Sequence, residues 1–177
     1  MTYIHYYESP IGTLLLSSDE IALTGLWFVG EKHCADAVPR EHTEGKTDVI
    51  DDTVRWLDIY FSGKRPDFTP LLRPAGSCFR QSVLRLLMQI PYGCTTTYGE
   101  LSVRLAHERK SGRMSAQAVG GAVGHNSISI IIPCHRVVGA NGSLTGYAGG
   151  IDRKIKLLEL EGADLSGFFA PKECERL

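Results

Sequence analysis

Pro133-Cys134-His135-Arg136-Val137-Val138 sets a nucleophile, a base and a cation in consecutive positions. A thiol does displacement chemistry as the thiolate, so it needs a group that removes its proton and surroundings that stabilise the charge. His135 and Arg136 are chemically suited to both tasks. Adjacency alone does not put the imidazole on the sulfur, because consecutive residues of an extended strand point to opposite faces. A bare Cys-His pair is more often a buried thiol beside a surface imidazole, so the whole run has to be weighed. The five cysteines, Cys34, Cys78, Cys94, Cys134 and Cys174, are odd in number, widely spaced and never in a C-x-x-C pair, the pattern of reduced thiols. Cys34, His5, His33 and His42 fall in no recognisable ligand pattern, and no metal is expected.

Several elements must position that run. Ile128 to Ile132 is β-branched except for Ser129, which predicts a strand delivering the chain directly into Pro133-Cys134. Upstream, Thr97-Tyr98-Gly99-Glu100 has the spacing of a capping box and predicts a helix from Tyr98 to about Ala106. A polar, basic turn from His107 to Arg113 follows, then a short helix from Ser115 to Gly124 whose alanines and Gly120-Gly121 leave little side-chain bulk. Two short helices joined by a loop read either as packing helices of an all-α core or as a helix-turn-helix. The smallness of the second helix favours the latter, since a helix entering a DNA groove gains from close backbone approach.

Before them, Phe79, Val83, Leu86, Leu87 and Ile90 mark a scaffold helix that begins near Ser77 and is closed by Pro91-Tyr92-Gly93. The first thirty residues read as three antiparallel strands, Tyr3 to Tyr7, Thr13 to Ser17 and Ile21 to Val29, separated by turn chemistry. Glu31 to Asp48 is polar and aperiodic, and Ile50, Val54, Leu57 and Phe61 then recur at helical spacing until Ser62-Gly63. The proline-rich stretch from Arg65 to Gly76, interrupted by Leu71-Leu72, is the expected linker. It divides the chain into a scaffold at 1–75 and a mostly helical part at 76–177, with a short, loosely packed tail after Gly162.

The chain has 177 residues, 43% of them hydrophobic and 22% charged, an ordinary composition for a globular protein of one or two domains. Neither a signal peptide nor a run of roughly 20 apolar residues is apparent, so a cytoplasmic protein without membrane contact is expected. The overall charge of -1 conceals a split: residues 1–75 carry 7 Lys/Arg against 12 Asp/Glu, residues 76–177 carry 12 against 8. Such asymmetry suits a polyanionic partner for the second part, although a mixed solvated surface produces it almost as readily.

From Ile131 to Val138 the sequence resembles the O6-alkylguanine-DNA alkyltransferase family, whose signature is a P-C-H-R-V core after an apolar segment. The resemblance runs back through Ala118-Val119-Gly120-Gly121-Ala122 and His125-Asn126. It runs forward through Gly142 to Gly150, Lys154, Leu157-Leu158 and Glu161-Gly162. It covers residues 77 to 162 well and the N-terminal part in architecture only. It implies an α+β fold, a small N-terminal antiparallel sheet with a helix (ribonuclease H-like) before a C-terminal winged-helix-like helix-turn-helix domain. It further implies that Cys134 accepts an alkyl group from O6-alkylguanine in double-stranded DNA, with O4-alkylthymine a second candidate. The protein would act once, as a monomer and without a cofactor.

In the roles the resemblance implies, His135 is the base acting through a water, Glu161 orients it, and Asn126 holds the preceding turn. Tyr98 presses on the target phosphate, and Tyr147 packs on a guanine flipped from the stack. Val137 and Cys134 offer backbone carbonyls and Ala148 a backbone N–H. Gln117, Ala118, Gly121 and Arg136 complete the expected DNA-contacting set. On pattern alone, Glu161 is equally a solvated charge near a helix end, and Tyr98 and Tyr147 are equally core aromatics.

Two departures stand out. Gln117 occupies the place where many members insert an arginine into the duplex, which removes a charge and stacking area. The basic loop from Glu108 to Met114 is longer than the usual family turn and offers Arg109, Lys110 and Arg113 to phosphates. The rivals to a suicidal alkyltransferase are a lesion-recognition module, which lacks the cysteine, a helix-turn-helix regulator using Cys134 as a sensor, and a cysteine hydrolase, which would turn over repeatedly.

Overall fold

The structure, a computed structural model, describes residues 1–31, 38–110 and 112–171. Strands β1 (Tyr3–Ser9), β2 (Gly12–Ser18) and β3 (Leu23–Phe28) form the expected antiparallel meander, with Pro10-Ile11 as the two-residue loop between Ser9 and Gly12. A fourth strand, β4 (Thr43–Glu44), pairs parallel to β1, giving the order β3-β2-β1-β4. It lies in the stretch read as aperiodic, because two residues are too few to show an alternation. Helix α1 (Asp48–Phe61) starts on Thr47, whose side chain accepts the Ile50 N–H, and buries Val49, Ile50, Thr53, Trp56, Leu57 and Tyr60 at helical spacing.

The Arg65 to Gly76 stretch is stitched to the sheet at one point. Leu23 N–H donates to Leu71 O and Arg73 N–H to Leu23 O, both at 2.8 Å. Helix α2 (Cys78–Leu87), capped by Ser77, then leads to β5 (Thr96–Thr97) and helix α3 (Tyr98–Glu108). Both arms of the Thr97/Glu100 capping box are formed. Helix α4 (Ala116–Gly124) is capped by Ser115, and α5 (Ile151–Leu160) closes the architecture. One hydrophobic core runs through both parts, joining Leu26, Phe28 and Tyr60 to Leu87, Val123, Ile128, Cys134 and Tyr147.

The expectation of a loosely packed tail is corrected as far as Pro171. Ala163, Leu165 and Phe168 pack on Val138, Leu144 and Leu158, and Phe169 exchanges backbone bonds with Leu144 and Gly142. The apolar residues there follow no helical or strand period, so pattern did not reveal their burial.

Candidate active site

Cys134 is not at the end of a strand. Ile128 makes a single parallel bridge to Leu26 on β3, after which the chain turns, and Cys134–Arg136 form one turn of 3₁₀ helix. All four isoleucines from 128 to 132 are buried, and burial rather than β-propensity fixed their identity. Ile131 N–H donates to Ser129 O at 2.8 Å around Ile130, whose φ of 69° is the strained γ-turn geometry that a β-branched residue rarely adopts. Cys134 N–H donates to Ile132 O at 2.8 Å around Pro133 (φ -82°, ψ 63°), a second γ-turn whose φ proline pre-sets.

Asn126 holds these turns together. Its Oδ1 accepts from Ile128 N–H at 3.1 Å, and its Nδ2 donates to Ile128 O at 3.1 Å and Ile132 O at 2.9 Å. The same Nδ2 lies 3.2 Å from Cys134 Sγ, where it favours the thiolate. Burial nonetheless dominates and pushes the Cys134 thiol up to about 11. The resting group is therefore the thiol, and its proton must be removed as the reaction proceeds.

His135 and Glu161 are both buried, and His135 Nε2 stands 2.7 Å from Glu161 Oε1. Glu161 caps the C-terminus of α5. It also accepts from Arg136 Nε (2.8 Å) and Nη2 (2.9 Å), Tyr60 Oη (2.7 Å) and Gly93 N–H (3.1 Å). Gly93 has a φ of 75°, and a Cβ there would stand 2.8 Å from Glu161 O, so only glycine brings that N–H to the carboxylate. Burial alone would raise the Glu161 carboxyl, but the His135 and Arg136 bonds hold it well below the usual carboxylate range. Burial lowers His135, against the pull of Glu161. With Nε2–H donating to the carboxylate, Nδ1 is the proton-accepting nitrogen, and it is buried with no hydrogen-bond partner among the described residues.

Arg136, named in the expected DNA-contacting set, is buried. Its guanidinium is bound to Glu161, donates to Ile90 O at 2.7 Å and lies 5.6 Å over the Tyr92 ring. Removing one partner of an ion pair this buried is strongly destabilising. The sequence reading gave no role to two groups near the sulfur. Lys154, fully buried on α5, donates Nζ–H to Thr145 O at 3.0 Å and to Val137 O; burial lowers it to about 8, while the Cys134 sulfur pulls the other way. Its helical spacing to Leu157 and Leu158 was the available signal. The other is Glu31, an isolated acid in a patternless stretch.

The pocket rim joins the sulfur to the helix pair. Val137–Val138 (β6) pairs in parallel with β5, directly before α3, so the Cys134 turn and the N-terminus of α3 are held side by side. Tyr98 Oη reaches Thr145 O (3.4 Å) and Gly146 O (3.3 Å), and its ring packs against Gly120 of α4. Gly146, at a φ of 85°, leaves room for that hydroxyl, 2.4 Å from where a Cβ would stand. Tyr147 is buried edge-on to His135 at 6.3 Å, and Ala148 is half-buried beside it. A surface depression lined by Thr95, Glu100, Val103, His107 and Met114 among others holds none of Cys134, Tyr98, Tyr147 and Ala148; the sulfur sits instead in a nearly closed site, 5% exposed.

Helices α3 and α4 are joined as a helix-turn-helix by residues 109–115, of which 111 lies outside the described set. Gln117, Ala118 and Gly121 share an exposed face of α4. Nothing lies within 4 Å of a Cβ built on Gly121, so internal packing does not explain the missing side chain. Arg109, Lys110 and Arg113 are exposed at the turn, Arg109 lying 5.8 Å over the Phe79 ring. Among the described residues no three His, Cys, Asp or Glu are placed to hold a metal ion; Cys34 and His33 lie outside them. No helix there is long and apolar enough to cross a membrane.

Residues 2–73 match the ribonuclease-like domain of 6-O-methylguanine DNA methyltransferase, and residues 78–163 match its DNA binding domain. A methylated-DNA–protein-cysteine methyltransferase of Methanosarcina acetivorans is 43% identical over 161 residues, covering 91% of this chain and 99% of that protein. One from Mycobacterium tuberculosis is 42% identical over 160 residues, covering 89% and 92%. The crystal structure of Mycobacterium tuberculosis OGT in complex with DNA superposes with a TM-score of 0.78 at 40% identity, covering 90% and 92% of the two chains. With both parts of the chain matched and the Cys134 turn inside the second, the protein belongs to the 6-O-methylguanine DNA methyltransferase family.

Proposed function

We propose that this protein repairs DNA by direct reversal, taking the alkyl group of an O6-alkylguanine onto Cys134. The observation that carries the reading is the buried line of Cys134, His135 and Glu161, held by β5–β6 pairing beside an exposed helix-turn-helix. The sulfur attacks the alkyl carbon in line, the S–C bond forms and the C–O6 bond breaks, and guanine leaves with its electron pair. The thiol proton passes through a water to His135 Nδ1, and a proton returns to the departing base. Because burial raises the Cys134 thiol to about 11 and lowers His135, a preformed thiolate–imidazolium pair is disfavoured. Proton removal is therefore coupled to attack, with Glu161 holding the imidazole in the correct tautomer and Lys154 supplying positive charge near the sulfur. A thioether is a very poor leaving group, so each molecule acts once.

The target nucleotide must leave the stack to reach a sulfur this enclosed. Tyr98 is suited to press on its phosphate, and Tyr147, Ala148 and the Val137 and Cys134 carbonyls to surround the base. Gln117, Ala118 and Gly121 face the duplex, and Arg109, Lys110 and Arg113 offset the missing arginine with phosphate contacts. We read the chain as a monomer working in the cytoplasm, with its division near residue 75 separating scaffold from DNA-binding and acceptor parts. The test is guanine restored per protein molecule in a duplex carrying one O6-methylguanine. A plateau at one equivalent, abolished in Cys134→Ser, supports the reading; repeated turnover or no restoration overturns it.

A further inference from the structure

A second buried carboxylate lies near the thiol and takes no part in the His135–Glu161 arrangement. Glu31 is 6% exposed, in the turn that follows β3. Its Oε2 accepts the Phe28 N–H at 3.0 Å and its Oε1 lies 3.4 Å from Ser129 Oγ. Ser129 opens the turn that leads to Pro133-Cys134, and its own N–H donates to Leu26 O at 2.8 Å. Glu31 thus ties the end of β3 to the segment that presents the nucleophile, across the join between the two parts of the chain.

The groups that face it come from three places: Arg153 on α5, Tyr147 on the pocket rim, and Cys134 itself. Among the described residues Glu31 has no ion-pair partner within 4 Å. Arg153 is engaged elsewhere, donating to Ile11 O and Gly149 O, each at 3.1 Å, with its guanidinium 4.5 Å over the Phe28 ring. A carboxylate buried without a paired cation is costly. Burial pushes Glu31 up to about 7, against the Phe28 N–H, the Ser129 hydroxyl and Arg153, and its charge in turn raises Cys134.

We propose, resting on the alkyl-transfer reading above, that Glu31 is a positioning residue for the reaction: through Ser129 it fixes the turn carrying Cys134, and when ionised it opposes negative charge on the sulfur. The pocket then responds to pH from the N-terminal part of the chain. Negative charge builds on the sulfur as its proton leaves during attack, so ionised Glu31 slows transfer and the protonated carboxyl does not.

The experiment is single-turnover transfer from a duplex containing O6-methylguanine, followed between about pH 6 and about pH 9, for the full chain, Glu31→Gln and Glu31→Ala. Glutamine keeps an acceptor for the Phe28 N–H and a donor for Ser129 Oγ but removes the charge. Glu31→Gln should match the wild type near pH 6 and exceed it by about tenfold near pH 8, with duplex affinity unchanged. Glu31→Ala should be about tenfold slower near pH 6, where neither protein carries the charge. Parallel pH profiles for wild type and Glu31→Gln overturn the proposal. So does an alanine variant that transfers at the wild-type rate throughout. If Glu31→Ala does not fold, the glutamine profile alone decides. A wild-type protein that transfers no methyl group overturns the alkyl-transfer reading itself, whereas transfer with parallel profiles overturns the role of Glu31 alone.

Discussion

Replacing Glu161 by glutamine exposes how the site is held. The carboxylate accepts five hydrogen bonds, from His135, Tyr60, Gly93 and two nitrogens of Arg136. An amide of the same shape has one oxygen for those donors and turns an N–H₂ group toward the rest. It also leaves the Arg136 guanidinium buried without its counter-charge. Removing one partner of a buried pair costs about 3–5 kcal/mol, and a donor left facing a donor adds about 1–3 kcal/mol. A central value of about 4 kcal/mol is a large share of the total stability of a domain. In a chain of this length it lowers the Tm by about 8–16 °C.

The sign of the pH dependence follows. A carboxyl held below its unfolded value contributes stability that is fully present above about pH 4.3 and lost as the pH falls toward its folded value. Wild type should therefore lose stability on acidification below about pH 4.3 more steeply than Glu161→Gln. Urea unfolding followed by circular dichroism at neutral and acidic pH measures both effects. A glutamine variant within about 1 kcal/mol of wild type at neutral pH, with the same acid dependence, would refute the assignment of Glu161 as the hub of the site.

Three further perturbations separate the parts of the site. Asn126→Ala removes the clasp on Ile128 and Ile132 and the donor to Cys134 Sγ. It should cost about 2–4 kcal/mol in denaturant unfolding and slow iodoacetamide labelling of Cys134 in the folded fraction; unchanged labelling would contradict the contact to sulfur. Lys154→Met should slow single-turnover transfer by about tenfold while duplex binding stays the same, and a rate within twofold of wild type removes Lys154 from the reaction. Gly121→Ala has open space around the new methyl group, so it should stabilise the fold by about 0.5–1 kcal/mol. It should nevertheless weaken duplex binding in a fluorescence-anisotropy titration, and unchanged affinity would take the α4 face out of the interface.

The caps were legible because they are local. Ser77, Thr97 with Glu100, and Ser115 each stand immediately before an apolar-periodic run, and each caps the helix expected. The stretch from Ile128 to Ile132 was misread because β-branched residues suit both a strand and a buried turn, and the side chain that chose the turn, Asn126, acts by hydrogen bonds no periodicity encodes. The bond of Arg136 to Glu161 was not legible because the two lie 25 residues apart in sequence. Lys154 was readable in principle, since a lysine in register with Leu157 and Leu158 on a helix face must find acceptors inside. Glu31 was not, because its burial depends on the join between the sheet and the Cys134 turn, which appears only once the chain is folded.

The intact mass of the protein after incubation with a duplex carrying a single O6-methylguanine tests the central claim most directly, with Cys134→Ser alongside. The account predicts a gain of one methyl group in place of one hydrogen, mapped to the peptide containing Cys134, saturating at one per molecule and absent from the serine variant. Tight binding of the lesion with no gain in mass, or a gain mapped to another residue, would contradict it.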